Sequence, residues 1–172
     1  MSATTLAHVD GPPLGRLDEM IWIGDVPALG AGRCPDRPAI IFPDRGQRMS
    51  YAELDRGCDA FVQLARARGI RPHDRVAYLG KNNDIYFPVL LGAIRANIVL
   101  VPLNWRLTAP EIAYQLEDSE ARLLIHDPEL SGLAADASAL CSLAPALLPT
   151  ESGSGSECLR VLLRQPAPSV PA

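Results

Sequence analysis

The stretch "IVLVPLNWRLTAPEIAYQLEDSEARLLIHD", Ile98 to Asp127, decides the fold. It opens on an apolar run, Ile98–Leu103, with little alternation, the pattern of a strand buried on both sides. Thr108-Ala109-Pro110-Glu111 follows as a capping box with proline just inside the helix. Ile112, Ala113 and Leu116 supply that helix's apolar face. "ARLLIHD", Ala121–Asp127, is then a second strand. A strand, a helix and a strand at crossover spacing belong to a parallel sheet.

The same grammar extends upstream. "AIIF" (Ala39–Phe42) reads as a strand, "PDRGQ" as a turn, and Arg48–Met49 as the start of a return strand. Ser50-Tyr51-Ala52-Glu53 is a first capping box. Leu54, Cys58, Phe61, Val62 and Ala65 follow as one helical stripe, with Glu53, Asp55, Arg56, Asp59, Gln63 and Arg66 facing away. Gly69 is placed to end that helix in the left-handed conformation, with Ile70 folding back. "DRVAYLG" (Asp74–Gly80) is the next strand. Asn82 or Asn83 caps a buried helix running to Arg95. Pro88 is expected to remove one hydrogen bond there and to kink it. Asn97 stands where a C-cap glycine is common, and asparagine tolerates that backbone. Downstream, Asp127 is read as the cap of an Ala-rich helix with Pro128 at its first position, extending to about Leu143. Beyond Pro145 the pattern fades.

The fold class expected is therefore α/β: a partial doubly wound, mostly parallel sheet with helices on both faces. Residues 1–32 read as a lead-in, partly helical at best, and 150–172 as a linker-like tail.

Composition narrows the function. The chain has 172 residues, 48% apolar and 21% charged, enough to bury a core. Its net charge of −4 gives no basic footprint for nucleic acid. Cys34, Cys58, Cys141 and Cys158 are widely spaced and form no C-x-x-C pair, which suits a reducing cytoplasm. His8, His73 and His126 make no ligand cluster, so no metal site is expected. Arg95, Asn97 and two prolines interrupt the apolar stretch Phe87–Leu103, so no membrane span is expected. Residues 1–16 lack the apolar segment of a secretory signal.

The order of these pieces carries a resemblance. "CPDRPAIIF", "SYAELDRGCDAFVQLARARGIRPHDRVAYLGKNN" and "LLGAIRANIVLVPLNWRLTAPEIAYQLEDSEARLLIHD" resemble the amino-terminal part of the acyl-CoA synthetases, within the adenylate-forming (AMP-dependent synthetase/ligase) superfamily. The likeness runs from about Arg33 to Asp127 and more weakly to Pro149, so residues 33–149 read as a partial amino-terminal domain of that kind. "VPLNWRLTAPEIAYQLEDS" points toward fatty-acyl or aryl acid–CoA ligases.

The resemblance implies activation of a carboxylic acid by ATP and Mg2+ to an acyl-adenylate, then transfer to coenzyme A. It implies a Ser/Thr/Gly-rich loop ending in Pro-Lys-Gly that holds the phosphates. It also implies an adenine-binding segment, a ribose-binding aspartate and a second lysine further on. None of these maps onto this sequence. Lys81 is its one lysine and matches no catalytic position. No catalytic, cofactor-binding or metal residue is therefore assigned.

"TESGSGSE", Thr150–Glu157, has the small residues of a phosphate loop but no cation, and Glu151 and Glu157 repel a triphosphate. It reads as a linker. "ECLRVLLRQ" after it reads as one short amphipathic helix. Two further groups are weighed. Asn104, Trp105 and Arg106 leave a strand on the side where open α/β sheets bind ligands. They are expected to brace the loop, with Arg106 bonding carbonyls and Trp105 covering core. Contact with an acyl group, CoA or a partner is the alternative. His126 reads as a plain loop histidine and not a base.

These 172 residues alone are expected to lack ligase activity and to need no cofactor. The partners expected are the remainder of a ligase or a second copy of the chain. The alternative is a non-catalytic module that binds an acyl group, CoA or a partner protein.

Overall fold

The computed structural model describes residues 22–43, 46–151 and 158–163. Two capping boxes form as the sequence predicts. Ser50 Oγ accepts from Glu53 N at 3.2 Å and Glu53 Oε2 accepts from Ser50 N at 2.8 Å, opening the 17-residue helix α2 (Tyr51–Ala67). Thr108 and Glu111 open α4 (Ala109–Asp118) in the same way. Such a cap contributes about 1 kcal/mol. Gly69 (φ +71°) closes α2, and Ile70 N returns to Ala65 O at 2.9 Å. Asn97 adopts φ +54° after α3 (Tyr86–Arg95).

The main sheet has strands β3 (Arg75–Leu79), β4 (Val99–Leu103), β5 (Leu123–His126) and β6 (Ala146–Pro149), all parallel, in the order β4-β3-β5-β6. Side chains alternate across it. Val76, Tyr78, Leu123 and Ile125 join Phe61, Leu64, Val89 and Ala93 of α2 and α3 on one face. Ala77, Leu79 and Leu124 join Ile112 and Leu116 of α4, and Ala134 and Ala137 of α5 (Ser131–Leu140), on the other. The result is three layers, with β3 and β5 covered on both sides.

Five details depart from the sequence reading. First, the strand at Ala39–Phe42 lies outside the main sheet. Here β1 (Pro38–Phe42) pairs antiparallel with β2 (Gln47–Ser50) in a separate hairpin. Second, β4 is an edge strand and Val99 is 48% exposed. Pro102, with no N–H to offer, is suited to such an edge. Third, Pro88 is the third residue of α3, where its missing N–H has no intrahelical partner to lose. Fourth, a strand the sequence reading passed over, β6, completes the sheet beside β5. Fifth, the lead-in ends in firm structure: a 3-10 turn at Ile23–Asp25 runs into α1 (Val26–Arg33). Arg95 Nε donates to Gly24 O at 3.1 Å and its guanidinium pairs with Asp55 and Asp59, fixing that segment to α2 and α3.

The predicted short helix is also present, as α6 (Leu159–Leu162). It brings Leu159 into the core and Cys158 to 3% exposure, and Thr150 is 1% exposed. Parts of the tail are thus packed. The phosphate-loop look-alike at 152–157 lies outside the described residues, as does most of the lead-in. No described helix is long and apolar enough to cross a membrane.

Candidate functional site

The strand order turns back on itself between β3 and β5: α3 carries the chain outward to β4, and α4 carries it back past β3 to β5. The crevice at the carboxyl ends of two such strands is where open α/β sheets bind ligands. Residues leaving β3 (Gly80–Asn83), β4 (Asn104–Arg106), β5 (Asp127) and β6 (Thr150) meet there.

Asp127 fills it. Its Oδ2 accepts from Lys81 N at 2.8 Å, and its Oδ1 accepts from Asn83 Nδ2 and from Thr150 Oγ1, both at 3.1 Å. Asp127 is 8% exposed, and its carboxylate is held by three neutral donors from two chain segments, the loop after β3 and the end of β6. Gly80 makes room for it, since a Cβ there would lie 2.8 Å from Asp127 Cγ. Asp127 was expected to cap the next helix, but its side chain makes no capping bond, and a 3-10 turn at Pro128–Leu130 precedes α5. The long-range demand for an acceptor outweighs the local cap. Asn83 does cap, its Oδ1 accepting from Ile85 N at 3.0 Å and Tyr86 N at 3.1 Å. Its Nδ2 also donates to Tyr78 Oη at 2.9 Å. Burial, reinforced by the charge of Asp127, raises the Tyr78 pKa far above the usual phenol value, so the ring stays protonated.

The other candidates sit above this plug. Trp105 packs on the second core face with Arg106 stacked at 4.1 Å, and Asn104 Oδ1 accepts from Arg106 N at 3.1 Å. The brace is as expected except that Arg106 stacks on Trp105 where carbonyl bonding was anticipated. Lys81, which the sequence left unattached, lies 4.9 Å from the Trp105 ring centre and pairs with Glu129 at 2.7 Å. His126 is a buried strand residue whose Nδ1 lies 3.1 Å from the Asp127 carbonyl oxygen. Ser131 Oγ, 3.5 Å from it, donates to Pro128 O at 2.7 Å, so the pair is no nucleophile–base dyad.

This arrangement is a joint between strand ends. A carboxylate occupies the crevice, and the nearest ammonium is engaged by Glu129, so these residues do not fit a nucleotide's phosphates. Among the described residues no three His, Cys, Asp or Glu side chains cluster as metal ligands. Cys58, fully buried, has its thiol pKa pushed up to about 12 by burial, which outweighs the pull of Arg95. At pH 8 iodoacetamide is expected to leave Cys58 unmodified in the folded chain and to label it in urea. Peptide mass mapping reads the difference, and native labelling at Cys58 would contradict its inert burial.

A switch-point sheet of this kind, wrapped on both faces and preceded by a hairpin, is the fold of adenylate-forming ligase amino-terminal domains. The chain aligns with the N-terminal domain of FACL13 from Mycobacterium tuberculosis with a TM-score of 0.73 and 28% identity, over 89% of this chain and 39% of that one. The chain belongs to the family described as AMP-binding enzyme, whose model matches residues 29–165. Among curated relatives it is 42% identical over 95 residues to the fatty acid–[acyl-carrier-protein] ligase ScoC of Streptomyces coeruleorubidus, covering 55% of this chain and 18% of that protein. It is 43% identical over 106 residues to a feruloyl-CoA synthase of an Amycolatopsis species, covering 58% and 22%. The chain thus spans about a fifth of the length of these relatives.

Proposed function

We propose that these residues form the first part of the amino-terminal domain of an ATP-, Mg2+- and CoA-dependent ligase for fatty or aryl carboxylic acids, acting in the cytoplasm. The whole activity would run through an acyl-adenylate and end in a thioester. The family match over 29–165 carries this reading, supported by the likeness to a fatty acid–[acyl-carrier-protein] ligase and to a feruloyl-CoA synthase. What these residues supply is a rigid sheet whose strand ends are pinned by Asp127. At the strand-end crevice Asp127 occupies the space and Lys81 is paired with Glu129, which supports a structural role there over the binding of a triphosphate. The partner implied is the remainder of the ligase.

The 172-residue chain is expected to show no acid-dependent exchange of pyrophosphate into ATP above background, with either octanoate or ferulate. Robust exchange by the chain alone would overturn this assignment of roles. A second reading, a non-catalytic module, draws on the closed three-layer core, which gives the chain the means to fold by itself. Calorimetric binding of CoA or a fatty acid by the purified chain would favour it.

A further inference from the structure

Helix α6 has only four residues, and nothing intrinsic keeps it helical. Isolated helices shorter than about 12 residues are marginal in water. Its N-cap residue, Cys158, makes no side-chain capping bond, whereas Ser50 caps α2 through a full capping box. Its backbone bonds close a single turn, Leu162 N to Cys158 O at 3.1 Å and Leu163 N to Leu159 O at 2.9 Å. The position of α6 therefore depends on its tertiary contacts.

Those contacts are of two kinds. Leu159 is fully buried in the core on the α2–α3 face, with Leu162 and Leu163 packed against it. Arg160 supplies the rest. Its Nη1 and Nη2 donate to the two oxygens of Asp84 at 2.6 and 2.8 Å, and its Nη2 and Nε donate to Glu151 Oε1 at 2.8 and 3.1 Å. Its backbone N donates to Thr150 O at 3.0 Å. One residue thus ties α6 to the loop after β3 and to the end of β6, the same two segments that Asp127 joins. The Asp84 pair is sheltered, its side chains 19% and 14% exposed, so it retains strength that an exposed pair loses to solvent. With Leu163, Arg160 also closes one end of a groove of about 710 Å3 whose other walls are β2, α2 and the start of α3.

We propose that α6 is a latch: it lifts from the core as a unit while the sheet and the longer helices stay folded, and Arg160 sets how often it is open. Elements held by few apolar contacts open at a lower free energy than the whole domain. Lifting withdraws Leu159 from the core, takes the guanidinium away from Asp84, and removes the bond that Thr150 O receives. It also uncovers Cys158, which is 3% exposed with α6 in place. Only contacts within this chain are involved, so the proposal is independent of the reaction assigned to the whole ligase.

Cys158 reports the opening, and Cys58 on α2 reports unfolding of the core. The 172-residue chain is treated with iodoacetamide without denaturant, and fragment mass spectrometry follows each thiol over time. Cys158 is expected to react at least about tenfold faster than Cys58, with a shallower dependence on urea because less surface is exposed in the open form. Arg160→Gln is expected to raise the Cys158 rate at least about tenfold and to change the Cys58 rate by less than about twofold. Asp84→Asn is expected to act in the same direction and to add little once Arg160→Gln is present, since the two substitutions remove one interaction. Arg122→Gln, which removes the ion pair with Asp74, is expected to leave the Cys158 rate unchanged. If Arg160→Gln fails to fold by circular dichroism, Arg160→Lys replaces it, with a smaller rise because lysine keeps the charge and loses the fork.

The proposal is overturned if Cys158 and Cys58 react at one rate with one urea dependence, because α6 would then lift only with the whole chain. It is overturned if the Arg160 variant leaves the Cys158 rate unchanged, or raises both rates equally. Hydrogen exchange supplies the last check. Labelling of Cys158 while the Leu162 and Leu163 amides exchange no faster than the core would mean that the thiol is reached without the helix lifting, and would also overturn it.

Discussion

Asp127→Ala is expected to lower the stability of the chain by about 3 kcal/mol, because it strips an acceptor from three buried or half-buried donors at once. Lys81 N, Asn83 Nδ2 and Thr150 Oγ1 converge on this carboxylate from the ends of β3 and β6. An unsatisfied buried donor costs about 1–3 kcal/mol, and water entering the vacated space recovers part of that. For a domain of this size the loss corresponds to a fall in Tm of roughly 6–12 °C. Asp127→Asn retains one carbonyl oxygen and is expected to lose about half as much. Urea titration and calorimetry measure both. A melting point for the alanine variant within about 1 °C of the parent would mean that the plug does not hold the strand ends together. Amide exchange at Lys81 and Thr150 should rise in parallel with the loss, since those groups report on the joint directly.

Local chemistry was legible wherever a few adjacent residues suffice. Ser50 with Glu53, Thr108 with Glu111, Gly69 and Asn97 each satisfy backbone groups within a few positions, and each behaves in the fold as its sequence context predicts. Long-range competition was not legible. Asp-Pro-Glu at 127–129 reads as a helix start, but an acceptor is needed by donors more than 20 positions away on either side, and tertiary demand takes the carboxylate. The strand β6 has four residues and a terminal proline, too little periodicity to separate it from a loop. Its pairing with β5 decides the matter. The separate β1–β2 hairpin was misplaced for a related reason: an apolar run names a strand but not the sheet it joins. The groove beside it was invisible, because Arg48, Arg56 and Arg160 become neighbours only after α6 docks through Asp84.

Gly92→Val is expected to cost about 3 kcal/mol, at the upper end for overpacking, because it forces apart the two helices that cover the sheet. A Cβ at Gly92 would lie 2.8 Å from the backbone oxygen of Cys58, and 3.0 and 3.1 Å from the ring and Cβ of Phe61. The first contact is with the main chain of α2, which no rotamer change relieves. Phe61 is fully buried and cannot swing away. Helix propensity favours the larger residue by only a fraction of this cost. Gly132→Ala is the counterpart: it lies in α5 with nothing within 4 Å of its Cβ position, and is expected to stabilise by about 0.5–1 kcal/mol. Opposite signs at two helical glycines separate close approach from propensity. Unchanged stability of the Gly92→Val variant would show that α2 and α3 part freely at this contact.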